Sequence, residues 1–472
     1  MPIASELRNL LRSGVHRMGE LEFQTNVSNH FCIVTHWQDA GRVNEPGLAP
    51  LNVATLCSDL IRINTSNPTH HERPAAEYVA GVLDSIGVGY EWFETEAGRT
   101  SLVARVPGRE SALPPLLVHA HLDVVPAIAS DWSVDPFSGE VRDGYVWGRG
   151  AVDMKGAIAA TLATLSRFHA EMLQPRRDLV LAFFADEEAG GELGAGYVTT
   201  SRPDLFADCR EAIGEVGGFS RTLPSGSRAY FISTGEKGVI WAKLQATGVA
   251  GHGSMLNERN VVSAIGRAVA TVADHRFGTH ITPTVRLMEE LLAPLIGVSL
   301  DDRESILGAL GPMSRMLRAG IQNTMSPTGL EAGYKINVIP GTASATIDCR
   351  YLPGCEDEVR EFLGSLTNEL VEVHTTYSGD ALEVVWEGPL SDHMQRALKS
   401  VDSSAVAVPY LSTAFTDAKW LSKLGINCYG FNPLLLPDDL DFTALFHGVD
   451  ERVPVSGLEF SVSVLHALFE GY

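Results

Sequence analysis

Three short and entirely apolar runs constrain the fold of this chain more than any other feature of its sequence. They cover residues 116–118, 179–184 and 212–214, and an alanine-rich helical segment at 157–168 lies between the first two. Strands that are apolar along their whole length are typical of parallel sheets with helices on both faces. Their alternation with helices predicts an α/β domain with a mostly parallel sheet.

The pattern changes after residue 238, which indicates a smaller domain inserted into the first. Its elements follow the order β-α-β-β-α-β, the ferredoxin-like arrangement. The predicted strands lie near residues 240–245, 334–338, 343–350 and 382–386, the helices near 261–272 and 359–370, and a helical insertion near 280–320. We therefore expect a poorly defined extension over residues 1–50, a main domain over 51–238 and 388–472, and the inserted domain over 239–387.

The composition excludes several classes of protein. The 472 residues include 58 acidic and 36 basic side chains, a formal net charge of −22, and such a surface repels nucleic acid. No apolar run reaches the roughly 18 residues that a membrane span needs. The first fifty residues lack the apolar core of a secretory signal, and the six cysteines form no CxxC pair. We expect a cytoplasmic protein with reduced thiols.

Histidine and acidic residues follow the apolar runs at the points where the predicted strands end. His121 and Asp123 follow the first run, Glu187-Glu188 the second and Glu215 the third. Ligands bind at the carboxyl ends of strands in open α/β sheets, so these side chains should converge. Gathered carboxylates repel one another unless cations are present. Imidazole and carboxylate ligands together suit Zn²⁺ or a similar ion.

Each of these residues also has an ordinary structural interpretation. Asp153 lies in a glycine-flanked loop that opens a helix, where an aspartate is commonly an N-cap. Glu187-Glu188 alone would be a solvated turn, and His121 alone a structural histidine. Their coincidence at the ends of neighbouring strands favours a metal site over three unrelated structural roles.

The motifs that carry these residues resemble a known family. They are His121-Leu122-Asp123-Val124-Val125-Pro126, the segment 148–156 with its Asp-Met-Lys-Gly, and Ala185-Asp186-Glu187-Glu188. In series they resemble the dinuclear-zinc metallopeptidase family of aminoacylase, acetylornithine deacetylase, succinyl-diaminopimelate desuccinylase, glutamate carboxypeptidase and cytosolic dipeptidases. The likeness covers about residues 50–472. It implies a catalytic zinc-binding domain with an inserted lid and dimerisation domain.

The resemblance implies a site for two Zn²⁺ ions, with Co²⁺ or Mn²⁺ as substitutes. The metal ligands that it implies are His121, Asp153 as the bridge, Glu188, Glu215 and His447. Asp123 would orient His121, as outer partners of metal-bound histidines do. Glu187 would be the general base that takes a proton from metal-activated water and passes it to the leaving amine.

Three further residues take substrate roles by the same resemblance. His252, between two glycines, would stabilise the oxyanion, often across a dimer interface, although alone it would be a turn histidine. Arg350 would hold the substrate carboxylate with its guanidinium fork; otherwise it is an exposed strand arginine. Asn337 would line the substrate pocket, although asparagine is common before turns. Phe415 departs from the family pattern, since many relatives have glycines at 414 and 415.

The expected activity is hydrolysis of a peptide or N-acyl amide bond in a small substrate with a free carboxylate. A dipeptidase, a carboxypeptidase and an N-acyl-amino-acid deacylase all fit this description. The expected partners are such a substrate and a second copy of the chain, without nucleic acid or membrane. The alternative is a non-catalytic relative that binds metal as a scaffold, but such a protein would have lost its general base, and Glu187 is present.

Overall fold

A computed structural model describes residues 49–472, so nearly all of the predicted extension over residues 1–50 lies outside the described residues. The helices are α1 (Val53–Arg62), α2 (Arg73–Ser85), α3 (Lys155–Ala170), α4 (Tyr197–Ser201), α5 (Val261–Asp274), α6 (Pro283–Ile296), α7 (Arg303–Gly308), α8 (Ser314–Ala319), α9 (Glu356–Ser365), α10 (Pro389–Val401), α11 (Ala418–Leu421) and α12 (Val455–Gly471). The strands are β1 (Tyr90–Glu94), β2 (Thr100–Val106), β3 (Leu116–His121), β4 (Val141–Arg142), β5 (Tyr145–Trp147), β6 (Leu179–Phe184), β7 (Glu211–Gly214), β8 (Phe219–Thr222), β9 (Arg228–Glu236), β10 (Gly238–Thr247), β11 (Gly251–His252), β12 (Thr324–Ala332), β13 (Val338–Ile339), β14 (Thr342–Tyr351), β15 (Val371–Gly379), β16 (Leu382–Glu383), β17 (Ala405–Ser412), β18 (Asn427–Gly430) and β19 (Arg452–Pro454).

A large mixed sheet organises the main domain. Its strands follow the order β1-β2-β6-β3-β7-β18-β9-β16, and β8 and β17 also pair with β9. The centre is parallel, because β3 pairs in parallel with β6 and β7, and β7 with β18. Every residue of β3 and β6 is buried, as their apolar runs predict. The predicted α/β class is therefore confirmed.

Helices cover both faces of this sheet, which explains why its central strands are apolar throughout. Leu181 of β6 belongs to the core formed with α1, α3 and α12. Its neighbour Ala182 belongs to a separate core with residues of α4 and α11. Successive side chains of a strand point to opposite faces, so each face needs its own apolar partner. Among the described residues no helix is both long and apolar enough to cross a membrane.

A second, antiparallel sheet begins after Lys237, the single residue between β9 and β10. Its order is β12-β14-β10-β15, and the chain passes through it as β10-α5-β12-β14-α9-β15. This is the predicted β-α-β-β-α-β succession, so the ferredoxin-like prediction is confirmed. Val261 and Ile265 of α5 and Val359 of α9 pack with the sheet in a core of their own.

Two strands of this second sheet were placed wrongly from the sequence. The second strand is Thr324–Ala332, not 334–338, because Pro327 and Gly329 interrupt its pattern. The sheet accommodates them at an edge strand with a register shift between these residues, where missing hydrogen bonds cost little. The last strand is Val371–Gly379, not 382–386; residues Leu382–Glu383 instead pair with β9 of the large sheet.

Helices α6, α7 and α8 lie in the region of the insertion near 280–320, and α6 packs on the large sheet. Helix α6 contacts β17 closely. Val285, Met288 and Leu292 of α6 are buried in the same apolar core as Leu411 of β17. The insertion therefore stabilises the main domain, although the sequence places it within the inserted one.

Candidate metal centre and active site

Polar side chains meet at the carboxyl ends of three neighbouring strands in the centre of the large sheet. His121 is the last residue of β3, Glu187 and Glu188 lie in the turn after β6, and Glu215 comes directly after β7. Since β3 pairs in parallel with both β6 and β7, these ends share one edge of the sheet. The sheet thus brings together side chains that are up to 94 positions apart in sequence.

Asp153 lies between two histidines and faces each of them with a different oxygen. Its Oδ1 is 3.0 Å from His121 Nε2, and its Oδ2 is 3.2 Å from His447 Nε2. Glu215 Oε2 lies 3.1 Å from His121 Nε2, and Glu188 Oε2 lies 3.2 Å from His447 Nε2. The five predicted ligands therefore form two triads that share Asp153.

The protonation of this cluster reflects an excess of buried negative charge. Burial is the largest influence on Glu187, Glu188 and Glu215, and it raises the pKa of all three carboxyl groups. Burial opposes a charge on His121 as well, yet Glu215 and Asp153 raise its pKa well above the ordinary value. The two histidines act here as cations that compensate the carboxylates, a role that metal ions perform better.

The donor set fits a pair of divalent metal ions. One possible ligand group is His121, Glu187 and Glu215, and another is His121, Asp153 and Glu188; within each, the ligand atoms lie within 4.8 Å of one another. Glu188 Oε1 is buried and accepts no hydrogen bond from any described residue. An unpaired buried carboxylate oxygen is costly unless a cation binds it. Mixed imidazole and carboxylate ligands are typical of zinc.

Asp123 organises this site through both its main chain and its side chain. The main-chain carbonyl of Asp123 lies 2.9 Å from His121 Nδ1, whereas its carboxylate Oδ1 lies 3.6 Å away. The carbonyl thus accepts a hydrogen bond from Nδ1–H, so Nε2 is the nitrogen that would bind a metal. The carboxylate instead accepts hydrogen bonds from the main-chain N–H groups of Glu187 and Glu188, both at 3.1 Å. It therefore shapes the turn that carries the predicted base.

Glu451 joins the loop of Asp153 to the loop of His447. Its Oε1 accepts hydrogen bonds from the N–H groups of Gly150, Val152 and Asp153, at 3.1, 2.7 and 3.1 Å. Its Oε2 pairs with Arg149 Nη1 at 2.6 Å, and Arg149 Nη2 donates to the carbonyl of His447 at 3.2 Å. Glu451 is fully buried. These contacts fix the positions of two predicted metal ligands, Asp153 and His447, relative to each other.

Sequence reasoning missed Glu451 and also Asn67. The Asn67 side chain donates to Asp123 Oδ2 at 2.9 Å and to Asp186 Oδ1 at 3.2 Å, and it accepts from Arg99. Glu451 lies four positions after the predicted ligand His447, but an acidic residue there could equally be exposed. Asn67 lies far from every motif, and no signal in the sequence points to it.

The three predicted substrate residues lie on the second sheet and its loops. Arg350 is on β14, and its Nε and Nη2 pair with Asp348 at 2.7 and 2.9 Å. His252 is exposed, with Nδ1 2.8 Å from Ser254 Oγ. The N–H of Gly253 donates to the carbonyl of Asn337 at 2.9 Å. His252 and Asn337 therefore adjoin one another, and no described contact links them to the metal cluster.

The chain is similar to a known family and to known proteins. Residues 117–471 match the family described as Peptidase family M20/M25/M40. The chain is 29% identical over 381 residues to the N-fatty-acyl-amino acid synthase/hydrolase PM20D1 of Mus musculus, covering 76% of this chain and 74% of that protein. It is 26% identical to aminoacylase-1 of Sus scrofa over 434 residues, covering 88% of this chain and 94% of that protein.

Solved structures share the fold at lower sequence identity. The di-peptidase Dug1p of Saccharomyces cerevisiae superposes with a TM-score of 0.69 at 14% identity, covering 89% of this chain and 95% of that one. The M20 family metallo-carboxypeptidase Sso-CP2 of Sulfolobus solfataricus gives a TM-score of 0.66 at 17% identity, covering 89% of this chain and 99% of that one. Both sheets of this chain are thus part of a recurrent architecture.

Proposed function

We propose that this chain, which belongs to peptidase family M20/M25/M40, is a zinc-dependent hydrolase of small amide substrates with a free carboxylate. The family match makes the chain a hydrolase of C–N bonds that depends on metal. The observation that supports the finer proposal is Asp153, which faces His121 with one oxygen and His447 with the other. The complete set of polar groups favours catalysis over the scaffold alternative.

The proposed metal ligands divide into two sets around Asp153. His121 and Glu215 would hold one ion with Asp153, and His447 and Glu188 would hold the other. When bound, such a pair of ions lowers the pKa of water and polarises the scissile carbonyl. The side chain of His121 is 1% exposed and that of His447 is 54% exposed, so the second ion would lie nearer to solvent.

Glu187 is the proposed general base. It is buried beside Glu215 and His121, and burial raises the pKa of its carboxyl well above the ordinary value. A raised pKa suits a group that must accept a proton from the attacking water and then release it to the leaving nitrogen. The turn that carries Glu187 is held by Asp123, so the base has a fixed position.

The substrate class follows from the relatives and from the proposed substrate residues. The two relatives above are named for N-fatty-acyl amino acids and as an aminoacylase, and N-acyl amino acids are our first candidates. Dipeptides and carboxypeptidase substrates are the next candidates. Arg350 would bind the carboxylate through Nη1, which takes no part in the pair with Asp348. His252 would donate to the oxyanion and Asn337 would line the pocket.

We also propose a cytoplasmic homodimer that forms through the inserted domain. Exposed apolar side chains surround the paired strands β11 and β13, and they include Met255, Leu256 and Ile336. Apolar patches of this kind mark protein interfaces. A monomeric mass in solution by light scattering would contradict the dimer.

A turnover screen tests the proposed activity. Zinc-loaded protein is offered N-acyl amino acids, dipeptides and C-terminal peptide substrates, each paired with its C-terminal amide. We expect hydrolysis of at least one carboxylate substrate and weak hydrolysis of its amide. The absence of turnover on every substrate would reject the activity, and equal turnover on both members of a pair would reject the carboxylate requirement.

A further inference from the structure

Three aromatic side chains meet where the two sheets adjoin, and we call them the junction cluster: Trp241, Tyr377 and Phe415. Trp241 is on β10 and Tyr377 on β15 of the second sheet, whereas Phe415 is in the loop after β17 of the large sheet. The ring centroids of Trp241 and Tyr377 are 4.8 Å apart, and Phe415 lies 6.1 Å from Trp241 and 6.2 Å from Tyr377. Each ring contacts the other two.

The junction cluster adjoins the turn that carries the proposed base. A Cβ placed on Gly190 would lie 3.6 Å from the ring of Tyr377 and 3.8 Å from its hydroxyl oxygen. Gly190 belongs to the same turn as Glu187, three positions later. The Trp420 indole N–H donates to the Gly190 carbonyl at 3.2 Å, which holds the turn from another side. Tyr377, and with it one side of the junction cluster, therefore adjoins the turn that carries Glu187.

Charged side chains fix the cluster and surround it. The Arg350 guanidinium lies 5.0 Å and the Lys419 ammonium 3.9 Å from the Phe415 ring centroid. Asp348, which pairs with Arg350, also accepts from the Trp241 indole at 3.2 Å. Cations over aromatic faces are attracted to the ring, so these contacts hold Phe415 in place.

The rings keep part of their surface accessible. Trp241, Tyr377 and Phe415 are each only partly buried, although Lys419 beside them is 3% exposed. Covering an apolar surface of this kind with a ligand removes it from water, which favours binding.

We propose that the junction cluster is a binding subsite for an aromatic or extended apolar group of the substrate, and that Phe415 determines this specificity. This inference rests on the proposed function, because it names a substrate class for the same site. Its substrates would carry a bulky apolar group near the scissile amide as well as a carboxylate. A chain without the ring would favour small substrates.

The test compares Phe415→Ala with the wild type on matched substrates. N-acetyl and N-phenylacetyl derivatives of alanine and phenylalanine vary the apolar group on either side of the amide. One methylene more or less in an apolar pocket changes kcat/KM by about 10- to 200-fold. We therefore expect the preference for the larger group to fall at least about 10-fold in the variant on one side of the amide. An equal change in kcat/KM on all four substrates would mean that the cluster only stabilises the fold, and it would overturn the proposal.

Two variants and a binding measurement keep this test decisive. Tyr334→Ala removes an aromatic side chain that is 79% exposed on the same domain, and it should leave the preference unchanged. Phe415→Leu replaces Phe415→Ala if the latter fails to fold.

Calorimetric binding of phenylacetate and of acetate to the metal-loaded chain needs no turnover. We expect the larger acid to bind the wild type more tightly and to lose this advantage in the variant. Equal binding of both acids to the wild type would overturn the subsite even if no hydrolysis were found.

Discussion

At the scale of single residues, the proposed base Glu187 lies among the proposed metal ligands. Its carboxylate lies within 4.8 Å of ligand atoms of His121 and Glu215, so it could bind a metal or act as a base. Its main-chain N–H is held by Asp123, in the same way as that of Glu188. The distinction therefore needs a measurement of metal content together with rate.

Glu187→Gln should keep the metal and lose activity. General base catalysis typically contributes about 10²- to 10⁴-fold, so we expect kcat to fall by at least about 10²-fold while the metal content by elemental analysis stays that of the wild type. Glu192→Gln, an exposed position in the next turn, is the matched control. Loss of metal in proportion to activity would make Glu187 a ligand.

Glu451 acts at a distance from the reacting atoms, as a positioning residue. It is buried and binds three N–H groups of the Asp153 loop. Partners that orient metal ligands typically change metal affinity by about 10- to 100-fold. We expect Glu451→Gln to weaken metal binding by about this factor in competition with a chelating dye, whereas exposed Glu459→Gln has no effect. Unchanged affinity would leave Glu451 with a structural role only.

The protonation of His447 gives a prediction that depends on pH. Hydrogen bonds to Asp153 and Glu188 raise its pKa to about 10 in the metal-free chain. The ring therefore carries a proton at pH 7, and a metal ion that binds Nε2 must displace it. We expect metal affinity to increase from pH 6 to pH 9. Calorimetry in buffers of different ionisation enthalpy should show proton release, and His447→Gln should reduce it. A pH-independent affinity would exclude His447 as a ligand.

At the scale of elements, the sequence predicts best where the burial pattern is simple. The strands β3, β6 and β7 are apolar because both faces of the sheet are covered, so their positions and the polar residues at their ends were evident. The strand Thr324–Ala332 is mostly exposed at a sheet edge. Its apolar pattern is correspondingly weak, which explains why the sequence placed it wrongly.

Some residues of the site could be predicted from the sequence and others could not, because only the residues at strand ends follow from a simple burial pattern. Residues at strand ends followed from the parallel sheet, whereas His447 lies in a loop far along the chain and was assigned by resemblance alone. The ion pair between the Arg350 guanidinium and the Asp348 carboxylate could not be predicted. Residues two apart on a strand face the same side of the sheet, but their side chains need not touch. Asn67 and Glu451 depend on loop conformations that no periodicity encodes.

The insertion provides a prediction at the level of packing. Leu292 of α6 is fully buried and belongs to the core of the main domain. Leu292→Ala should therefore destabilise the protein by about 2–5 kcal/mol, the usual effect of such a cavity. Denaturant unfolding measures this change, with exposed Glu290→Ala as the control. A loss below about 1 kcal/mol would contradict the packing described.

At the scale of the whole molecule, the fold gathers several acidic side chains at one edge of the large sheet. The formal net charge of the chain is −22. Asp153, Glu188 and Glu215 lie close together within the protein, where the repulsion between carboxylates is strongest. Two divalent ions would bring four positive charges to this cluster. The second sheet adjoins it through the junction cluster, so metal chemistry and substrate selection would meet at the same place.

The metal dependence of turnover decides whether this acidic cluster is a catalytic metal centre. The chain is stripped by exhaustive dialysis against a chelator, assayed on the carboxylate substrate found in the screen, and assayed again after addition of Zn²⁺. We expect activity to disappear, to return on addition of zinc, and to reach its maximum at about two ions per chain. Full turnover by the metal-free chain would show that Asp153, His121 and His447 do not form a catalytic metal centre.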